Sequence, residues 1–422
     1  MIATKAPLRV CRETAKERPK RMVEFRYALV TLIYCTIIGD RVLAEPPPAR
    51  IKGVHRMEET VARLGGEGDN WHMTWTSDDR LVAGLCDGTA DPWPKVPRKL
   101  YNSRLISIHG LPPKFDFEDT PGYPELLVGP GPRNASRYYN FGILATNGSI
   151  YQFMSTPDRP FDTNEPHPRF IGAKLIYSPD NGATWRNQDG STPVRWEPWE
   201  ERSKTNMAFF KEPSDAFSLL TVLQMGRDYE QNKDGYVYIY SPNGSTEGTM
   251  NQLVMCRVKK DRILDRGAYE FFVGRRPDGS ANWSKDIVER GVVQTFPSGW
   301  VNTKIHPYSW HPSVVYNKPL GLYLMANWGM GCTPDGMWFG KPSYLGFWSA
   351  PNPWGPWTQI YEEKEWTPAH DRAARAYQPQ IMPRGISADG KSFWLVWTDF
   401  QFVGPKRPYY SFNLQKVEMT TE

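Results

Sequence analysis

Cysteine is scarce in this chain of 422 residues: five in all, with no Cys-x-x-Cys pair. That excludes a disulfide framework and a structural zinc site. Cys11 and Cys35 fall in an N-terminal leader. Cys86, Cys256 and Cys332 remain, widely spaced and odd in number. One disulfide or three buried thiols would satisfy that count. Membrane-length apolar segments are missing too. The conspicuous apolar stretch, ALVTLIYCTIIG at Ala28–Gly39, has 12 residues, short of the roughly 20 that cross a bilayer as a helix. No long amphipathic helical pattern occurs, which argues against a helical bundle. Calcium-loop spacing of the EF-hand kind is absent.

An excess of charge is also missing once the leader is set aside. Residues 5–26 are rich in Lys and Arg, the apolar stretch follows, and DRVLA places Val42 and Ala44 before a cut ahead of Glu45. This is a signal-peptide pattern over residues 1–44, with Met22 as an alternative start. These residues hold 9 of the 51 basic and 4 of the 46 acidic side chains, leaving 42 of each. A chain with no net charge and no basic patch is not expected to bind nucleic acid. The expected location is secreted or periplasmic, with no stable membrane insertion after the leader is removed. Asn134, Asn147, Asn243 and Asn282 head Asn-x-Ser sequons, which matter only in a eukaryotic secretory host.

What the chain has is turns and aromatics: 35 Gly, 38 Pro, 17 Trp and 21 Tyr. PPPAR after Glu45 reads as a stiff linker, leading into a first strand over residues 45–64. Short alternating strands then recur in five groups, near residues 70–111, 140–185, 207–258, 311–362 and 377–419, each with three or four strands and Gly, Asn, Asp or Pro turns. A unit of about 60–75 residues with four strands fits a propeller blade. The expectation is an all-β, five-bladed β-propeller forming a single domain over residues 65–422. Residues 263–287 read as a loop excursion between blades.

YSPDNGATW, Tyr177–Trp185, contains Ser-x-Asp-x-Gly-x-Thr-Trp and is similar to the Asp-box turn of sialidases and other propellers. Asp180 is placed to accept turn N–H groups, Gly182 to take a positive φ, and Trp185 to plug the hairpin. ISADGKSFW at 386–394 resembles a degenerate second copy. Such turns lie on the outer rim and speak for fold rather than for a site.

GDNWHMTW with a downstream CDG, NKDGYVYIYSP, DRGAYEFFVGRRPDGSANWS, SVVYNKPLGLYLM, and APNPWGPWT followed by SADGKSFWLVW together resemble one bacterial family of unassigned activity, the domain of unknown function numbered 4185. The resemblance covers nearly all of the chain after the leader. It implies kinship with five-bladed furanosidases such as arabinanases, with a pocket at one end of the axis lined by the starts of the innermost strands. Transferred to this chain, that implies Asp69, Trp71 and His72 from the first blade and Asn140 from the second. Gln224, Arg227 and Asp228 would come from the third, His311 from the fourth, and Tyr377 and Gln378 from the fifth. Asp87 in the CDG turn resembles a pocket position; Cys86 departs from the GDG common in the family.

Glycoside hydrolysis needs two carboxyl groups across the scissile bond, roughly 5–10 Å apart over both stereochemical classes. Asp69 is expected as base or nucleophile, with Asp87 or Asp228 as acid. Asp78 and Asp79 read as a hairpin turn. Trp71 and Tyr377 would be sugar platforms. The expected function is a secreted carbohydrate-active hydrolase, acting as a monomer on a polysaccharide or oligosaccharide. Two other readings stay open. KIHPYSWHP places His306, Tyr308 and His311 on one loop, which with His72 and Arg227 suits a polysaccharide lyase acting on a uronate. A non-catalytic glycan-binding propeller fits the fold equally, because fold does not fix chemistry. No cofactor is required, while a structural Ca²⁺ on the axis is compatible with the related furanosidases.

Overall fold

A computed structural model describes residues 49–128, 137–158, 169–198, 201, 209–244, 251–296, 312–335 and 337–422. The proposed leader, His306, Tyr308, His311 and Asn134 lie outside these residues.

Hydrogen bonding divides the strands into five antiparallel sheets. Blade 1 runs Met73–Trp75, Leu81–Leu85, Tyr101–Leu111 and Lys114–Asp119, from the axis outward. Blade 2 runs Tyr139–Thr146, Ser149–Pro157, Phe170–Ser178 and Arg186–Asn187. Blade 3 begins Thr221–Val222, Tyr236–Pro242 and Gln252–Lys259, and blade 4 runs Ser313–Asn317, Leu322–Gly329, Tyr344–Ala350 and Thr358–Glu363. Blade 5 comprises Ala376–Ile381, Ser392–Asp399 and Asn413–Thr421, and its outermost strand is the N-terminal Ile51–Arg56. The first strands of successive blades contact one another around the ring, and blade 5 returns to blade 1. The protein is therefore a five-bladed β-propeller.

Local sequence explains the hairpins. Asn147 and Gly148 join the first two strands of blade 2 with φ of 51° and 71°, the pair of positive values a two-residue turn of matching twist demands. In the turn after Phe170–Ser178, Asp180 accepts the Thr184 N–H at 2.7 Å and the Thr184 hydroxyl at 2.6 Å. Trp185 is buried there, edge-on to Tyr123 of blade 1. Ser387 and Asp389 close a similar turn onto Lys391 and Ser392.

The core lies between the blades, where neither face of a single sheet could be covered alone. Between blades 1 and 5, Trp71 packs on Trp93 and Phe412, and Trp93 stacks on Phe117 with centroids 3.9 Å apart. Cys86, Cys256 and Cys332 are free and buried. Residues 263–287 differ from the expected loop. Glu270–Arg275 and Ala281–Ser284 form a hairpin that extends blade 3 outward, and Phe271, Phe272 and Ala281 are buried in the core cluster of that blade. Among the described residues no helix is long and apolar enough to cross a membrane.

Candidate active site

First strands start, and second strands end, at the same mouth of the ring. A cavity of about 470 Å³ opens there. Blade 1 supplies Asp69, Asn70 and Asp87; blade 2 supplies Arg137, Tyr139, Phe141 and Phe170. Trp328, Met330, Trp338 and Phe339 come from blade 4, and Tyr377, Gln378, Phe400, Arg407 and Tyr410 from blade 5.

Backbone pairing brings the two acids together. Asp69 and Cys86 exchange hydrogen bonds at 3.0 and 2.9 Å. The next residue, Asp87, would ordinarily point to the other face of the strand. Its φ of 47° breaks that alternation, and both carboxyl groups line the cavity.

Their surroundings differ. Asp69 Oδ2 accepts the Tyr377 hydroxyl at 2.7 Å, Oδ1 accepts Asn70 Nδ2 at 2.6 Å, and the Tyr410 hydroxyl is also bonded to it. Asp87 Oδ1 accepts Asn102 Nδ2 at 3.2 Å and Arg137 Nη1 at 3.3 Å, and Tyr139 also bonds to its side chain. About a third of the Asp87 side chain (36%) is open to the cavity. Protein walls desolvate both acids. That confinement, then repulsion from Asp87, pushes Asp69 up to about 8, while Asp87 is raised chiefly by confinement and drawn back by Arg137. Asp87 thus has an ion-pair partner in Arg137, and Asp69 has two tyrosine hydroxyls.

Asp69, Asp87, Tyr377 and Gln378 are the sequence candidates that the fold assembles. His311 lies outside the described residues, and the remaining candidates are placed elsewhere. Trp71 is buried in the core between blades 1 and 5 and offers no sugar platform. Asn140 points into the gap between blades 1 and 2, where Oδ1 accepts the Ser103 and Tyr123 hydroxyls and Nδ2 donates to the Arg104 carbonyl. Asp228 and Arg227 follow the end of the first strand of blade 3, opposite the cavity. The Asp228 carboxylate accepts the Gly148 N–H, 3.1 Å from each oxygen, and Arg227 is exposed beside Glu230.

His72 and Gln224 face the axis below the cavity with Thr221, Ser313 and Gln380. Burial lowers the His72 imidazole to about 3, so it is neutral and no acid at ordinary pH. These donors are uncharged, and the axial void is about 10 Å³, room for roughly one water. They do not by themselves form the six- to eight-oxygen cage that Ca²⁺ takes. Among the described residues no group of three or more His, Cys, Asp or Glu is placed to hold a metal.

Cavity-lining residues absent from the sequence-based set include Asn70, Arg137, Tyr139, Trp338, Phe339, Phe400, Arg407 and Tyr410. Arg137, Tyr139 and Phe141 alternate at strand period two, with Asn140 one residue out of step. The aromatic, proline-bearing DFQFVGPKRPYY, 399–410, was a further legible signal.

No family model matches this chain, so the likeness to family 4185 rests on its motifs alone. No curated protein matches it either. Among solved structures, the chain is similar to the α-L-arabinofuranosidase of Podospora anserina in complex with cellotriose, at 10% identity and a TM-score of 0.41, over 89% of this chain and 98% of that one. A GH62 α-L-arabinofuranosidase catalytic domain from Coprinopsis cinerea gives 12% identity and a TM-score of 0.43, with 89% and 98% covered. An endo-arabinase of Bacteroides thetaiotaomicron gives 9% identity and a TM-score of 0.38, with 87% and 97% covered.

Proposed function

We propose that this protein hydrolyses glycosidic bonds of a polysaccharide or oligosaccharide in the cavity at the mouth of the propeller. The observation that carries the reading is the pair Asp69 and Asp87: two confined, mutually perturbing carboxyl groups in one aromatic-walled cavity. Glycoside cleavage requires one protonated and one ionised carboxyl group at the same pH, and unequal surroundings provide that. Burial and then repulsion from Asp87 favour the proton on Asp69, outweighing its hydroxyl partners, which favour the charge. Arg137, Asn102 and Tyr139 favour the charge on Asp87.

The roles proposed are therefore the reverse of those expected from sequence. Asp69 gives its proton to the leaving oxygen, and Asp87 activates water or attacks the anomeric carbon. Trp338 and Phe339, half-buried at the cavity wall, offer flat faces for sugar C–H groups.

The test is a panel of neutral and acidic polysaccharides incubated with the protein, Asp69→Asn and Asp87→Asn. Products are read as new reducing ends and as ultraviolet absorbance from unsaturated uronates. New reducing ends without absorbance, reduced at least about a hundredfold in both variants, are the expected result. Absorbance would replace hydrolysis by elimination. Absence of any product across the panel would overturn catalysis.

A further inference from the structure

Arg407 lines the same cavity as the two acids, and the chemistry above does not use it. It follows a tight turn in which Val403 and Lys406 exchange backbone hydrogen bonds. Its guanidinium carbon lies 4.2 Å from the ring centroid of Tyr410 and 5.1 Å from that of Phe400. Two aromatic neighbours hold the guanidinium in place beside the acids.

Several other arginines have counterions. Arg137 pairs with Asp87 at 3.3 Å, Arg104 with Asp119, and Arg56 with Glu363. Arg63, which also lies over a tyrosine ring, still reaches Asp399 at 3.9 Å and Asn413 at 3.2 Å. Among the described residues, the Arg407 guanidinium has no carboxylate or carbonyl within bonding distance. Its field still acts on both acids, drawing Asp69 and Asp87 down. A planar fork of five donors is thus held ready at a largely aromatic cavity with none of them used.

The charge balance points the same way. Arg137 offsets Asp87, and Asp69 holds its proton near neutrality. Arg407 then leaves the cavity one positive charge in excess. A cation kept against aromatic walls without a partner favours a ligand that brings the missing negative charge.

We infer that Arg407 sets the specificity of this site by receiving an anionic substituent of the bound sugar, the carboxylate of a uronic acid or a phosphate or sulfate ester. The inference rests on the reading of the cavity as a glycan site and selects acidic glycans within it.

The test is calorimetric titration of the full chain and of Arg407→Gln, Arg407→Lys and Asp69→Asn at neutral pH and low salt. The probes are D-galacturonate and D-galactose, D-glucuronate and D-glucose, inorganic phosphate and inorganic sulfate. At least one anion should bind about tenfold or more tightly than the neutral sugars, the scale of one charge-assisted hydrogen bond. Arg407→Gln should abolish that preference, Arg407→Lys should keep part of it, and Asp69→Asn should keep it all. The uronate arms against the phosphate and sulfate arms identify the anion. Equal binding of charged and neutral probes, no binding of any probe, or a preference that survives Arg407→Gln overturns the inference. Anion preference without products from the polysaccharide panel would keep this site and remove the hydrolase. Turnover of neutral glycans without anion preference would remove only the role of Arg407.

Discussion

Tyr377 and Asp69 come from blades 5 and 1, 308 residues apart in the chain, and meet through one hydrogen bond of 2.7 Å. A hydroxyl donated to a carboxylate stabilises its charged form, so this bond lowers the Asp69 value that confinement has raised. Tyr377→Phe removes it with little change of volume. Asp69 should then hold its proton to a higher pH. If Asp69 is the acid, the alkaline limb of kcat/KM should move upward, by about one pH unit if the bond is of ordinary strength. A pH–rate profile of the variant decides this; a limb that stays put or moves down removes Asp69 from the acid role. Asp69 also has a stability signature. Above about 3.8 the unfolded chain releases this proton, whereas the folded chain keeps it to about 8. The folded state therefore binds more protons across that window, and its stability falls as pH rises. Asp69→Asn abolishes the effect. Urea midpoints at pH 4, 6 and 8 should show the variant gaining on the parent as pH rises; a constant difference would mean that Asp69 titrates normally.

Side-chain alternation within single strands decided which parts of the site were legible. Arg137, Tyr139 and Phe141 line the cavity, and Asn140, one residue out of step, faces the opposite way. A slip of one residue flips the face, and the sequence motif identified the strand without its phase. Trp71 differs for another reason: Asn70, at φ 62°, breaks the alternation, so Asp69 and Asn70 both line the cavity while Trp71, two residues on from Asp69, turns to the core. Asp69, Asp87, Tyr377 and Gln378 were legible because they lie where first strands begin or second strands end. Asp87 and Gln378 reach the cavity through positive φ, 47° and 52°, which strand periodicity does not reveal. Arg407 and Tyr410 lie in a loop between two strands of blade 5, so only the fold brings them to Asp69. The five strand groups were readable because every blade repeats the same hairpin logic; among the described residues the extra hairpin of blade 3 has no counterpart in the others. At this scale Asp228 is a turn clamp between blades 3 and 2. Its φ is 52°, so Asp228→Ala loses the Gly148 bonds and places alanine in a strained conformation. The cost should be about 1–2 kcal/mol, with kcat/KM unchanged, and Asp228→Asn should cost less. Denaturant unfolding with parallel activity assays checks both; lost activity in a stably folded Asp228→Ala protein would return Asp228 to the site.

For the whole molecule, the shape of the cavity depends on closing the ring, because its two acids and their hydroxyl partners come from blades 1 and 5. The chain closes that circle with its N-terminal strand. Ile51–Arg56 pairs with Asn413–Thr421, covering what would otherwise be an open sheet edge. Arg56 fastens the join. Its Nε and Nη2 make a two-pronged contact with Glu363 of blade 4 at 2.9 and 2.8 Å, and Nη1 reaches Gln415 at 2.8 Å and Glu58 at 2.8 Å. The Arg56 side chain is 5% exposed and that of Glu363 20%, so the pair is shielded unlike a surface ion pair. Removing one partner of a buried pair strands the other, at about 3–5 kcal/mol when burial is complete; the partial exposure of Glu363 puts the expectation at the lower end. Arg56→Ala should therefore lower unfolding stability by about 3 kcal/mol, and Glu363→Ala by less. The double variant should fall short of the sum by 1 kcal/mol or more, since contacting residues couple at about 0.5–3 kcal/mol. Urea unfolding of the four proteins measures that coupling. A value below about 0.5 kcal/mol, the level of an exposed pair, would mean that strand pairing and core packing close the ring without this clasp. Coupling of the expected size, together with weakened turnover in folded Arg56→Ala, would show that closure at the outer edge holds Tyr377 and Asp69 in register across the mouth.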